Sequence, residues 1–295
     1  MRNLPEMLKS AGLLLGFMFV MSCTDHNEVR EKVDTLKLLV KSNSLLVPSE
    51  SDKYPPMHSI GVYSLSKDGE HTSLLDNQKA IYNGHRWYFD KNREVRLSTD
   101  SIQVYAYYPY DTNMQSNEWL RLKAGNTDYM YGFHDKEKHG YINYEQPLAE
   151  IKMEHAMSML RLDVRPIIEE GGDIERIYIK TVDYNSPLYM TGQINMFTGE
   201  TGSLEIMEEA DCTLDNTGSK AILYLIPCLD AKFEINVIVN RKPYVLKITD
   251  HNFSPGKSYN FWLDFDVKEE NLIIKDFTIE DWVDGGTLDM DTSVK

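Results

Sequence analysis

Four metal-ligating types of side chain fall within six positions, His134, Asp135, Glu137 and His139, and histidine with carboxylate is a donor set that holds zinc and other divalent ions. Their spacing follows no strand or helix that would aim the donors at one point. The segment is read as a solvated loop, with no metal expected. His155 follows Glu154, but no serine or cysteine nucleophile pairs with it recognisably, so it reads as a hydrogen-bonded structural histidine. Tyr105, Tyr107, Tyr108 and Tyr110 offer aromatic faces of the kind that stack on sugars, yet strand alternation turns at least half of them toward packing, which is the expected role. Cys212 and Cys228 either pair outside the cytoplasm or remain two buried thiols; both stay open. Asp284-Gly285-Gly286 lacks the lysine and following helix of a phosphate loop. No triad, paired acids or metal spacing emerges, so neither an enzyme nor a cofactor is expected.

The remaining cysteine has a different chemistry. Arg2 and Lys9 precede an apolar run from Ala11 to Met21, which as a helix measures roughly 17 Å. A bilayer core of about 30 Å is too thick for it. Residues 1–22 therefore read as a secretion signal, and Val20-Met21-Ser22-Cys23 resembles a lipobox cut by signal peptidase II between Ser22 and Cys23. Cys23 would become the lipidated first residue, with diacylation supplying the two chains that stable anchoring needs. Residues 23–34, opening Thr24-Asp25-His26-Asn27-Glu28, read as an acidic tether without apolar periodicity.

Composition narrows the partners. The 295-residue chain is 42% hydrophobic and 26% charged, as expected of a foldable protein. Thirty-one basic against 46 acidic residues leave a net charge of −15, which excludes a phosphate backbone as a favoured partner. Three cysteines without a CxxC spacing exclude zinc ribbons and thioredoxin-like motifs.

The elements that must position these residues read as strands. Apolar residues alternate at Leu36, Leu38 and Val40; at Ile102, Val104 and Ala106; at Leu160, Leu162 and Val164; and at Ile235, Val237 and Val239. Ala221 to Ile226 reads as a buried strand stopped by Pro227. Phe233 to Asn240 and Tyr244 to Thr249 read as a hairpin turning through Arg241-Lys242-Pro243. Gly- and Pro-containing turns such as Asp68-Gly69 and Pro255-Gly256 punctuate the pattern. The expectation is an all-β chain of two tandem antiparallel β-sandwiches, one over 35–150 and one over 151–295 including a C-terminal extension.

Three further segments carry a resemblance. Val104-Tyr105-Ala106-Tyr107-Tyr108-Pro109-Tyr110, Asp128-Tyr129-Met130-Tyr131-Gly132 and Met153-Glu154-His155-Ala156-Met157-Ser158-Met159-Leu160 occur in the order and spacing of fimbrillin-like proteins. Pro255-Gly256-Lys257-Ser258-Tyr259 and the closing Phe277 to Gly286 agree. The chain thus resembles the Mfa1-like branch of that family, lipoprotein precursors of Bacteroidetes type V pili. The resemblance implies two transthyretin-like sandwiches per subunit, localisation at the cell outer membrane or in a fimbrium, other pilus subunits as partners, and a possible surface ligand on host or bacterium.

The resemblance also implies a mechanism, strand exchange. A first strand fills a groove in the precursor, is removed by a protease, and is replaced by the C-terminal extension of another subunit. Leu36, Leu38 and Val40 would plug the groove. Leu272, Ile274, Phe277 and Ile279, or Leu288 and Val294, would donate. One departure stands out: no arginine occurs between Arg30 and Arg86, so Lys41 and Lys53 are the candidate processing sites. An uncut subunit would keep its lipid and serve as an anchor, or as a non-polymerising adhesin or glycan-binding lipoprotein.

Overall fold

The computed structural model describes residues 34–42, 59–83, 86–114, 116–165, 173–215, 217–266 and 271–282, all within a unit spanning Lys32–Lys295. In chain order the strands are β1 (Asp34–Thr35), β2 (Lys37–Ser42), β3 (Ser59–Ser66), β4 (Gln78–Tyr82), β5 (Trp87–Phe89), β6 (Arg96–Leu97), β7 (Ile102–Tyr108), β8 (Trp119–Lys123), β9 (Met130–His134) and β10 (Leu148–His155). They continue as β11 (Ser158–Val164), β12 (Ile174–Thr181), β13 (Tyr189–Asn195), β14 (Thr201–Ile206), β15 (Glu209–Asp211) and β16 (Thr213–Leu214). Last come β17 (Lys220–Leu225), β18 (Cys228–Val239), β19 (Lys242–Phe253), β20 (Lys257–Asp266) and β21 (Asn271–Asp281). Among the described residues a single four-residue α-helix, α1 (Lys136–His139), joins β9 to β10, and a 3-10 turn spans Asp90–Asn92. The chain is all-β, as its period-two alternation requires.

Among the described residues the strands form two large sheets and two small ones. The first large sheet runs β2-β10-β9-β7-β3-β4-β5 and carries a core that includes Leu36, Val40, Val62, Val104, Ile151 and Met153. The second runs β15-β12-β18-β19-β21-β20-β11-β17-β16 around Leu160, Leu162, Ile179, Phe233, Ile235 and Phe261. β1 pairs only with β6. β14-β13-β8 forms a small sheet joining chain segments some 70 residues apart in sequence. It covers a third core holding Tyr63, Tyr105, Tyr107, Leu122, Ile194 and Trp282.

That third core explains the composition of β7. Val104 and Ala106 face the first core, while Tyr105 and Tyr107 face the third. A strand buried on both faces has no polar side to alternate with, so it reads as a nearly continuous apolar and aromatic run.

The pairing differs from the expected all-antiparallel pattern in three places. β2 runs parallel to β10, β11 to β20, and β19 to β21 at the single register point Val245↔Asn271. Alternation reports which face a side chain occupies, not the direction of its neighbour, so this lay outside the pattern's reach. The hairpin after Val239 also turns elsewhere. Asn240 (φ 52°) and Arg241 (φ 64°) make the two-residue turn, and Pro243 sits inside β19 opposite Ile238. Two successive positive φ values define the tight turn whose twist matches its flanking strands, and asparagine tolerates that conformation well. Pro243 precedes the one point where β19 meets β21, so its missing N–H interrupts no register pair on that side. The boundary placed at 150/151 falls within β10, and Ala156-Met157 leads from it into β11.

Candidate functional site

The first strand is an edge element held from one side. Leu36 and Val40 are 5% and 4% exposed in the first core, and Leu38 is half-buried beside them. The ladder sets Leu38 against Ala149 and Val40 against Ile151, both fully buried. Leu36 N–H donates to Val95 O at 2.8 Å and Lys37 N–H to Pro147 O at 2.8 Å, fixing the entry of the strand. Lys41 Nζ meets Glu150 Oε1 at 2.8 Å, and His139 Nε2 lies 3.8 Å from the same oxygen. Lys41, first by its hydrogen bond, holds the Glu150 carboxyl below its ordinary pKa, with partial desolvation opposing. Among the described residues β10 is the only strand that β2 pairs with in its sheet, and its outer backbone edge has no ladder partner there.

Lys41 is therefore embedded in a ladder, paired with Lys152 in register. Ser22, Cys23, Lys53, Leu288 and Val294 lie outside the described residues. Leu272, Ile274, Phe277 and Ile279 all lie in β21, which pairs with β20 from Lys257↔Asp281 to Asp266↔Asn271. Leu272 is buried and Phe277 packs against Phe261 at 4.5 Å between ring centroids, whereas Ile274 and Ile279 stand exposed.

The segments that carry the resemblance converge at the end of β21. Trp282 is 4% exposed and stacks on His155 with ring centroids 3.7 Å apart and planes 9° apart. Tyr224 stacks on it as well, at 5.1 Å. His155 Nδ1 lies 2.9 Å from Asp128 Oδ2, so β10, the stretch before β9, β17 and the residue that follows β21 meet at one column of rings. Trp282 N–H donates to Gly256 O at 2.8 Å, and Gly256 N–H to Met157 O at 2.9 Å. Each stacked pair contributes about 0.5–1.5 kcal/mol beyond area burial. In the sequence Trp282 shows only as a tryptophan among acids and glycines, which is the signal of its role.

The other candidate residues are resolved by geometry. His134 is a correction to the solvated loop: it ends β9, is buried, accepts from Glu150 N–H at Nδ1 (3.1 Å) and faces Gly140 O from Nε2 (2.9 Å). With Nδ1 accepting, Nε2 carries the proton, and both ring nitrogens are occupied by backbone groups. Asp135 caps α1 through Lys138 N–H, so a regular strand and a helix do flank this segment. Tyr105 and Tyr107 are fully buried and stack with Tyr63 at 5.3 and 6.1 Å. Their hydroxyls donate to Asn117 O at 2.7 Å and Asn77 Oδ1 at 2.7 Å. Burial raises the pKa of both tyrosines well above the phenol's ordinary value. Tyr108 and Tyr110 are half-buried, so no four-tyrosine platform faces solvent. Cys212 and Cys228 are free buried thiols, each pushed up to about 12 chiefly by desolvation.

Comparison with known proteins places this architecture. The fold is similar to a candidate cell adhesion protein from Bacteroides ovatus, with a TM-score of 0.64, 16% identity, and coverage of 85% of this chain and 98% of that one. A second candidate cell adhesion protein, from Bacteroides uniformis, gives a TM-score of 0.64 at 14% identity over 84% of this chain and 98% of that one. The tip fimbrial protein Mfa3 from Porphyromonas gingivalis, with C-terminal truncation, gives 0.51 at 10% identity over 84% and 100%. No match was found among curated proteins. The model of the fimbrillin-like family matches residues 57–282, from the start of β3 to the buried tryptophan, and the chain belongs to that family.

Proposed function

We propose that this chain is a surface-exposed subunit of a type V pilus or related adhesive fimbria, exported as a lipoprotein on Cys23 and assembled by strand exchange. The observation that carries the reading is β2: an edge strand that inserts Leu38 and Val40 into the first core along one ladder, with Leu36 buried just before it. Removing it would uncover Ala149, Ile151 and Met153, and a foreign strand of the same alternation could take its place. The first large sheet, through β10, would thus supply the groove and the segment after β21 the donor. Membership of the fimbrillin-like family supports the reading. So does the similarity in fold to a tip fimbrial protein and to candidate adhesion proteins.

Two choices follow within this reading. Lys41 has its backbone in a ladder and its ammonium on Glu150, so cleavage is assigned to the Lys53 side, beyond the strand. β21 is tied along its length to β20 and ends on Trp282, so the donor is assigned to residues 283–295, with Leu288 and Val294 as its apolar side chains. The partners are then other pilus subunits and, through the lipid, the outer membrane.

Intact-mass and N-terminal analysis of the protein from its native surface, beside Cys23→Ala, tests the reading. A new N-terminus after Lys53 is the expected result. An acylated Cys23 terminus would instead favour the second reading, an anchor or non-polymerising adhesin, which the absence of arginine between Arg30 and Arg86 motivates. A non-acylated terminus unrelated to residues 23–58, with no oligomer at the surface, would sink both.

A further inference from the structure

Natural sheets keep their open edges short, because an unpaired strand edge is a template for another chain. Three of the four terminal strands of the two large sheets are short in this way: β5 and β15 have three residues and β16 has two. β2, the fourth, has six. A second long edge lies inside the second sheet. β21 pairs with β20 over its whole length but meets β19 at Val245↔Asn271 alone, so from Leu272 to Asp281 its other side has no ladder partner among the described residues. The facing edge of β19 is bent by Asp250 (φ 53°) and by register shifts against β18. An extra residue at Lys275 bends β21 as well, and beyond it the regular run Asp276–Asp281 matches β2 in length.

The two runs are complementary side chain by side chain. In β2, Lys37 and Lys41 flank Leu39 on the outer face, while Leu38 and Val40 turn to the first core. In β21, Asp276 and Glu280 flank Thr278 at the same spacing, while Phe277 and Ile279 take the opposite face. Ile279 is 53% exposed, and Lys37 stands exposed too. Thr278 Oγ1 donates to Glu280 Oε1 at 3.1 Å, and Asp276 Oδ1 accepts from Phe277 N–H at 2.8 Å, so each carboxylate keeps a second oxygen for a cation. Lys41 Nζ already holds Glu150, but an ammonium has three donors and a second carboxylate can share it.

We propose that β21 of one copy pairs antiparallel along the outer edge of β2 of a second copy, in the register Lys37↔Glu280, Leu38↔Ile279, Leu39↔Thr278, Val40↔Phe277 and Lys41↔Asp276. Both lysines then face carboxylates across the ladder, and Ile279 and Phe277 extend the apolar row of Leu38 and Val40. The chain's own closing residues fit this edge worse, because Asp284, Asp289 and Asp291 would lie against Asp276, Glu280 and Asp281. Each copy carries one edge of each kind, so the contact is heterologous and extends head to tail instead of closing on a dimer. Its role rests on the strand-exchange reading and deepens it. Residues 283–295 follow β21 directly, so the contact sets a donor beside the strand it is to replace before that strand is cut.

Cysteine cross-linking of the uncut full-length chain in detergent tests the contact, with the parent chain as control for the native cysteines. Leu39→Cys mixed with Thr278→Cys is expected to give a disulfide-linked dimer under mild oxidation that neither variant forms alone. The chain carrying both substitutions should give a ladder of higher species. Lys37→Glu added to the first partner should slow linking about tenfold, and Glu280→Lys added to the second should restore it, because opposite charges then face each other again. Thermal midpoints confirm that each variant is folded. The proposal is overturned by the absence of a mixed dimer, by equally fast linking of Leu39→Cys to Leu229→Cys at an exposed site elsewhere, or by no rescue in the charge-reversed pair. An intrachain disulfide between Thr278→Cys and Leu288→Cys would also overturn it, giving the edge to the chain's own end. Linking needs neither cleavage nor lipid, so its failure leaves strand exchange to be judged by N-terminal analysis, and an uncut, acylated terminus leaves the contact measurable.

Discussion

At the scale of single residues, close approaches of backbone decide more than charges do. Gly132 sits where β9 crosses β10, and a Cβ there would lie 2.0 Å from Lys152 O and 2.7 Å from Lys152 C. Both are backbone atoms in a ladder, which cannot swing aside like a side chain. Gly132→Ala is expected to cost about 3 kcal/mol or more, measured by urea unfolding. His251 supplies a pH prediction. Burial among Phe253, Tyr259, Phe261 and Phe277 lowers its pKa below the ordinary histidine value. The unfolded chain then binds the proton more readily than the folded one, so stability falls as pH drops below about 6.5 and this contribution levels off below the folded pKa. His251→Phe should flatten the dependence of thermal midpoint on pH over that window. Little of this was legible beforehand. Gly132 closes the Asp128-Tyr129-Met130-Tyr131-Gly132 segment, but the atom that requires glycine there comes 20 positions later in the chain. His134 was misread because its hydrogen-bond partners, Glu150 and Gly140, belong to elements that spacing alone does not bring together.

At the scale of elements, β2 and β21 differ in how they are held. β2 pairs with one strand, whereas β21 has β20 along its length and β19 at one point. Burial of Leu36 and Val40 contributes about 1.5–3 kcal/mol each, enough to seat a single-sided strand. Leu36→Ala with Val40→Ala is expected to release β2 selectively, seen as fast amide exchange in residues 36–42 and 148–153 while β20 and β21 stay protected. Uniform loss of protection would mean that β2 is integral to the fold rather than a replaceable plug. Strand positions were readable where one face is polar, as for β11, where Arg161 and Asp163 alternate with Leu160, Leu162 and Val164. The hairpin was misplaced because proline is the louder turn signal, while Asn240-Arg241 makes the turn through positive φ. Parallel neighbours such as β10 for β2 leave no trace in alternation.

At the scale of the whole molecule, three cores share their walls. β7 serves the first and third cores with its two faces, and β8 and β13 bring segments some 70 residues apart into one sheet. Burial should therefore make the two thiols report on global opening. Cys212 and Cys228, pushed up to about 12, remain protonated at pH 8, and thiol reagents are expected to label them at the rate of unfolding, rising together in urea. Fast labelling of either in the native protein would show local opening of the second core. Trp282 gives the molecule a mechanical property as well. A pull applied at the C-terminus reaches the indole held between His155 and Tyr224 before it reaches the β20–β21 ladder. The ring column acts as a strain relief, passing load sideways into β10 and β17 instead of peeling β21 from its free end. Under tension Trp282→Ala should lower the rupture force of the last strand, read by single-molecule pulling from the chain end, while leaving that of the β18–β19 hairpin unchanged.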